Sequence, residues 1–465
     1  MRYLLALLTV FTLEMIQEAG SSSSAPADAP NLIFLLTDDQ RWDALGVAGN
    51  RIIRTPHLDQ LANDGFYFRR AYVTTPICAI SRASILSGQY ARRHGILTFE
   101  ANFSDSAFSQ TYPALLQKAG YHTGFIGKFG VGTRLPAGAF SYWKGFGGQG
   151  AYAAKDSLGQ PVHLTDLMGQ QLDEFIRTSP AGRPFCLSVS FKAPHAQDNG
   201  RPEFPYAARY GTLYAEDRIA KPAAADERYY RQFPDWFRQA DQNESRVRWN
   251  RRFSSDSLFQ LTVKSYYRLI SGVDEVVGRL RRTLQERGLS QNTIIVFMSD
   301  NGFYLGEYGF SDKWYGHELS IRVPLIIYDP RHPRRQHQRT DRYALNVDIA
   351  PTLLTLAGLP IPPQMQGRSL TELMDNPDGR WRDAFFFEHL FNLPSVFIPQ
   401  SEGVLSEERK YVHYFNIRQP GQSHEEIYDL KSDPAELVNL ANQPEGKRLR
   451  RTLLSELERF RSSSR

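Results

Sequence analysis

The chain has 465 residues, 41% hydrophobic and 23% charged, a globular composition long enough to bury a sizeable core and read as one large domain plus a smaller one. Its 55 lysines and arginines against 50 aspartates and glutamates leave a formal charge of +5, which suits an acidic small molecule or a polyanion; no nucleic-acid motif accompanies it, and the basic run from Arg331 to Arg339 reads as a solvated loop. Cys78 and Cys186 are the only cysteines, which excludes a disulfide framework, and no run beyond the first twenty residues is apolar and long enough for a membrane span.

Residues 1–20 read as a secretory signal, with Arg2 ahead of the apolar stretch from Leu4 to Phe11, and residues 21–30 as a flexible tether. Export, to a periplasm or out of the cell, is therefore expected. Beyond the tether, apolar strand-like runs alternate with amphipathic helical patterns, as in an α/β sandwich with a large, mostly parallel sheet between helices. The first run, NLIFLLTDDQ, ends in Asp38 and Asp39. Next comes CAISRASILSG, from Cys78 to Gly88, a helical pattern closed by glycine with Arg82 one turn after the cysteine. A thiol at a helix start feels the positive end of the macrodipole, which favours the thiolate and a nucleophilic role; the alternative is a small buried hydrophobe.

Two later runs end as the first does. FCLSVSFKAPH closes on Lys192 and His195, and TIIVFMSDNG on Asp300 and Asn301. Ligands of open α/β sheets gather outside the carboxyl ends of the strands, so three polar tips point to one shared crevice. Asp38, Asp39, Asp300 and Asn301 offer only oxygen, which suits Ca²⁺, with Mg²⁺ the alternative, and disfavours zinc; taken singly, each pair also fits a turn or a helix cap. Cys186 reads as core. Residues 200–253, rich in Arg, Tyr, Trp and Phe, read either as a substrate-side insertion beside the crevice or as an ordinary packed excursion. Further on, Gly358 and Pro360 stop a helix, Glu426 to Ala441 reads as a strand entering an Asp-Pro turn, and Leu449, Leu453, Leu457 and Phe460 form one face of a final helix. The expected division is residues 31–375 as the main domain and 376–465 as a smaller α+β subdomain with an antiparallel sheet.

CAISRASILSG resembles the type I sulfatase signature, in which the leading Cys becomes formylglycine and the Arg four positions on holds it. Ser81, Arg82, Leu86 and Gly88 fit; Ile80 stands where Pro is usual and Ser87 where Thr is. The resemblance extends from about Asn31 to Ala441 and implies an alkaline phosphatase-like fold. It implies a metal, usually calcium, on Asp38, Asp39, Asp300, Asn301 and the modified Cys78, and a sulfate-facing role for His195. GYHTGFIGKFGVG is similar to the segment that supplies a Lys and a His: Lys128 matches, Phe129 replaces Trp, and Gly130 falls where the His should be. His94, His122 and His317 are candidates to fill that place. Lys313, nine residues before Arg322, matches the spacing of the family's second site lysine.

On this resemblance, hydrated formylglycine 78, steadied by the metal and Arg82, attacks the sulfur of an ester. Lys128, Lys313, His195 and the metal neutralise its oxygens, and Lys313 or His195 protonates the departing alcohol. The expected substrate is a sulfated carbohydrate and the maturation partner a formylglycine-generating enzyme. Two alternatives stand: a phosphodiesterase or phosphonate hydrolase of the same superfamily, and a catalytically silent protein that binds sulfated glycans.

Overall fold

The structure, a computed structural model, describes residues 28–463 apart from 199, 240–241 and 393–394, so the signal segment and most of the tether lie outside the described residues. Eight strands form the central sheet: β1 (Asn31–Asp38), β2 (Phe66–Phe68), β3 (His122–Lys128), β4 (Tyr142–Phe146), β5 (Phe185–Pro194), β6 (Thr293–Ser299), β7 (Leu325–Tyr328) and β8 (Gln338–Thr340). Their order is β8-β2-β7-β6-β1-β5-β3-β4, and only β7 runs antiparallel to its neighbours. The mostly parallel sheet expected from the alternating pattern is what forms.

β1 shows why the sheet is a middle layer. Its eight residues are all buried, and its side chains alternate: Leu32, Phe34 and Leu36 enter one hydrophobic core, Ile33 and Leu35 the other. The first core is shared with α1 (Cys78–Ser87) and α5 (Ile349–Leu356), the second with α2 (Leu164–Thr178) and the long α4 (Asp256–Glu286). Burying a residue such as Leu35 contributes about 1.5–3 kcal/mol. Cys186, on β5, is core as expected. Gly358, at φ 72°, closes α5 in a left-handed conformation open to glycine.

The smaller unit is an antiparallel meander of β9 (Ala384–His389), β10 (Gln400–Ser406), β11 (Arg409–Phe415) and β12 (Ser423–Asp429), covered by the final helix α6 (Pro444–Ser463). Leu453 and Leu457 of α6 are buried against it. Residues 200–253 carry short helices, the last of them α3 (Glu244–Arg252). Their aromatic side chains mostly point inward: Tyr229, Tyr230, Phe233 and Phe237 are buried in the first core. Those four rings are packed against the protein's own residues and present no face to a sugar, because they form part of the floor under the loop that follows β6.

Candidate active site

The strand order β6-β1-β5-β3, all parallel, sets four carboxyl ends side by side. Asp300 and Asn301 leave β6, Asp38 and Asp39 leave β1, Lys192 and His195 close β5, and Lys128 ends β3. Each of these side chains is almost or wholly buried. α1 crosses above them, so that Cys78 Sγ donates to Asp38 Oδ1 at 3.3 Å and Arg82 reaches across the cluster. One ligand atom each from Asp38, Asp39, Cys78 and His195 lies within 4.8 Å of all the others.

The cations hold the carboxylates in place. Lys128 Nζ donates to Asp38 Oδ2 at 2.5 Å and Lys313 Nζ to Asp39 Oδ1 at 2.5 Å. Arg82 Nε donates to Asp300 Oδ2 at 2.8 Å, and its Nη1 to the Lys128 carbonyl at 2.6 Å and to Ser190 Oγ. Asn301 Nδ2 donates to Asp39 Oδ1 at 2.6 Å, the Asp39 amide to Asp300 Oδ1 at 3.1 Å, and Tyr266 to the Asp39 carbonyl at 2.7 Å. His195 donates from Nδ1 to the Ala196 carbonyl at 2.6 Å, which leaves Nε2 bare 3.6 Å from Asp39 Oδ2.

Burial raises the Asp39 carboxyl to about 7; Lys313 opposes this, while Asp38, Asp300 and Asp312 add to it. Burial would also raise Asp38, yet Lys128, His195, Arg82 and Lys313 together hold it well below the carboxylate range. His195 is pushed well below its ordinary value by burial and then by Lys313. Lys192 falls to about 8 through burial and the nearby Lys128; it donates to the Ala196 carbonyl at 3.3 Å and so braces the His195 turn.

The expected thiolate at Cys78 does not form. The helix-start argument is local, and here burial, helped by Asp38, pushes the thiol well above its usual range. As a plain thiol this residue is a poor nucleophile.

Two buried oxygens, Asp39 Oδ2 and Asn301 Oδ1, have no hydrogen-bond partner among the described residues. Unpartnered oxygens beside three converging carboxylates are what a hard divalent cation would satisfy, so the donor set fits such an ion.

None of the three candidate histidines replaces the one missing at Gly130. His122 begins β3, at the opposite end from Lys128, and stacks on Phe175. His94 pairs with Ser84 Oγ, and His317 with Tyr304 and Glu426. The physical reason lies at Gly130 itself: φ is +73°, and a Cβ would sit 2.7 Å from Arg82 Cδ, so the stem of Arg82 fills that space. Sequence reading missed Gln149, which accepts from Lys128 Nζ at 2.6 Å, and Ser190. Ser190 did leave a signal, since Ser188 and Ser190 put two hydroxyls on one face of a strand otherwise buried in apolar residues.

Residues 30–359 match the family profile described as Sulfatase, and residues 306–463 that described as N-sulphoglucosamine sulphohydrolase, C-terminal. The chain belongs to the sulfatase family. It is 28% identical to an N-acetylglucosamine-6-O-sulfatase of Bacteroides thetaiotaomicron, over 92% of this chain and 86% of that one. The solved structure of BT4656 in complex with its substrate D-glucosamine-2-N,6-O-disulfate superposes with a TM-score of 0.78 at 26% identity, covering 94% of this chain and 98% of that one. A phosphonate monoester hydrolase of Agrobacterium radiobacter shares the fold, with a TM-score of 0.75 at 22% identity, 94% of this chain and 96% of that one. The sulfatase hydrolyses sulfate esters, and the site above is where its polar tips converge.

Proposed function

We propose that this sulfatase removes sulfate from a sulfated carbohydrate at the Cys78 cluster, with Cys78 oxidised to formylglycine by a formylglycine-generating enzyme. The observation that carries the reading is the placement of the Cys78 side chain on Asp38, among the ligand atoms that crowd within 4.8 Å. Asp38, Asp39, Asp300 and Asn301 would hold the cation, Ca²⁺ before Mg²⁺, together with residue 78. When bound, the ion supplies positive charge to the sulfate oxygens and to the nucleophile.

The chain's own residues divide the remaining work. Arg82, fixed by Asp300, Ser190 and the Lys128 carbonyl, orients residue 78. Lys128 and Lys313, each anchored by one carboxylate, turn their charge toward the sulfate oxygens, where charge builds in the transition state. Of the two candidate proton donors, Lys313 is favoured. The Nδ1 proton of His195 is spent on the Ala196 carbonyl, so its bare Nε2 is an acceptor. The carbohydrate class is supported by the likeness to an N-acetylglucosamine-6-O-sulfatase and to BT4656, whose substrate is D-glucosamine-2-N,6-O-disulfate, and by the positive balance of the chain. Export is supported by the leading segment, with Arg2 ahead of the apolar stretch from Leu4 to Phe11.

Peptide mass spectrometry across Ala71 to Arg82 in fully active protein tests the modification: an aldehyde mass is expected, and a thiol mass would end the formylglycine reading. Turnover on a panel of defined sulfated saccharides is expected to exceed turnover on aryl phosphate diesters, and the reverse order would favour the phosphodiesterase alternative. An unmodified thiol in protein that binds the saccharides but turns none over would mark a silent glycan binder.

A further inference from the structure

The loop that delivers Lys313 is bent against its own backbone preference. Asp312 and Trp314, on either side of the lysine, have φ of +68° and +87°. Aspartate tolerates the left-handed region better than most residues; tryptophan does so poorly. Two such residues flanking one side chain persist only where the surroundings over-determine them.

Those surroundings are α3, in the basic, aromatic segment 200–253. Arg248 and Arg252 lie four residues apart and so on one helix face. Arg248 Nη1 donates to Asp312 Oδ1 at 3.0 Å and Arg252 Nη1 to Asp312 Oδ2 at 2.5 Å, one guanidinium per carboxylate oxygen. Arg252 is fully buried; it also donates to Ser311 Oγ at 3.0 Å and to Glu203. The Arg248 guanidinium lies 5.5 Å from the centroid of the Trp314 ring. From the same helix, Ser245 Oγ donates to the Ser311 carbonyl at 2.6 Å and accepts from the Ser311 amide at 3.1 Å. α3 therefore grips residues 311, 312 and 314, and the side chain between them reaches Asp39. Burial alone would raise the Asp312 carboxyl; Arg248 and Arg252 override it and hold the group well below the carboxylate range.

We propose that Arg248 and Arg252 are positioning residues for Lys313, their shared grip on Asp312 maintaining the left-handed turn that aims the Lys313 ammonium into the Cys78 cluster, onto Asp39. The inference rests on the reading of Lys313 as a group that acts on the sulfate. Segment 200–253 then serves the reaction from beneath the site, through a lysine sixty-one residues beyond Arg252.

The test compares Arg252→Lys, which keeps the charge but loses the guanidinium fork, with Lys313→Ala, on aryl sulfates whose leaving groups differ in acidity. Arg252→Lys is expected to lower kcat about 10- to 100-fold, with KM changed less than about threefold. Its leaving-group dependence should shift in the same direction as that of Lys313→Ala. In the Lys313→Ala background the arginine change should then cost less than about threefold, because the group it positions is gone. An equal loss in both backgrounds, or one uniform across leaving groups, would overturn the proposal. If Arg252→Lys does not fold, Arg248→Lys, at the more exposed arginine, carries the same comparison. Full activity in Lys313→Ala would sink the reading of that lysine itself, whereas an impaired Lys313→Ala beside unimpaired arginine variants sinks only the positioning claim.

Discussion

Lys410, Glu318 and Glu436 are buried, as Lys313, Asp39 and Asp300 are, yet the two clusters are finished differently. Lys410 Nζ donates to the Gly316 carbonyl at 3.0 Å, Glu318 Oε1 at 2.9 Å and Glu436 Oε1 at 2.7 Å. Glu318 Oε2 accepts from Tyr72 at 2.9 Å, and Glu436 Oε2 from the Glu318 amide at 2.7 Å. Every proton of that ammonium and every oxygen of both carboxylates is used. At the strand tips, by contrast, Asp39 Oδ2 and Asn301 Oδ1 have no hydrogen-bond partner among the described residues, and three carboxylates crowd together. A closed cluster holds β11 and residues near Glu436 to the segment beyond Lys313. The one at the strand tips keeps donor oxygens of the kind that hold a hard divalent cation.

The sharpest way to separate the two is to remove one side chain from each. Cys78→Ala should abolish sulfate ester hydrolysis, by at least about 10⁴-fold in kcat, because the proposed reaction has residue 78 as its nucleophile and no second one to fall back on. Its thermal unfolding should stay near that of the parent, since alanine leaves only a small void. Lys410→Met should do the opposite in kind. Two buried carboxylates lose their shared cation, and urea unfolding should report a loss of about 3–5 kcal/mol. A Lys410→Met protein as stable as the parent would mean that the closed cluster is not structural.

A weaker effect probes the open cluster without chemistry. Adding Ca²⁺ to chelator-treated protein should stabilise it by about 2.7 kcal/mol at a hundredfold excess over Kd, and chelation should remove activity. Asp39→Asn should lose both responses. In the absence of metal the same variant should lose less stability than Lys410→Met does, because burial, together with Asp38, Asp300 and Asp312, outweighs Lys313 and already disfavours the Asp39 anion. If Ca²⁺ shifts the melting of Asp39→Asn as far as that of the parent, the ion binds elsewhere.

These clusters also mark what was legible in the chain. Asp38, Asp39, Asp300, Asn301 and His195 could be found because each follows an apolar run whose period and length announce a strand, and parallel strands bring their ends together. Cys78, Arg82, Lys128 and Lys313 came from a resemblance tied to spacing. The pairing of Arg252 with Asp312 left no mark, since a buried ion pair between residues sixty apart reads locally as two surface charges. Gly130 shows the same limit. The chain reveals that a histidine is missing there, but only the packing shows Arg82 occupying its space. At Cys78 a correct local rule, the helix dipole, was outweighed by burial, which has no local signature.

The smallest predicted effect carries the comparison of finished and unfinished polar groups to single rings. His389, at the end of β9, is fully buried, its ring nitrogens have no hydrogen-bond partner among the described residues, and burial pushes its pKa down to about 3. His94 is pushed to about 4, also by burial, but its Nδ1 accepts from the Ile96 amide at 3.0 Å and its Nε2 meets Ser84 Oγ at 3.0 Å. Both values lie below the roughly 6.5 of an unfolded histidine, so each ring's contribution is complete above that pH and is lost as the pH falls toward the folded value. For His389 the loss approaches about 1.4 kcal/mol per pH unit. His389→Leu should therefore flatten the fall in stability between pH 7 and pH 5 and cost little at pH 7, because no hydrogen bond is broken. His94→Leu should flatten it too, but lower stability at pH 7 by about 1–2 kcal/mol, because the Ile96 amide and the Ser84 hydroxyl lose their partner. Urea midpoints of the two variants at both pH values decide the matter: a His389→Leu protein that keeps the parent's full pH dependence would show that its ring is not held neutral by burial.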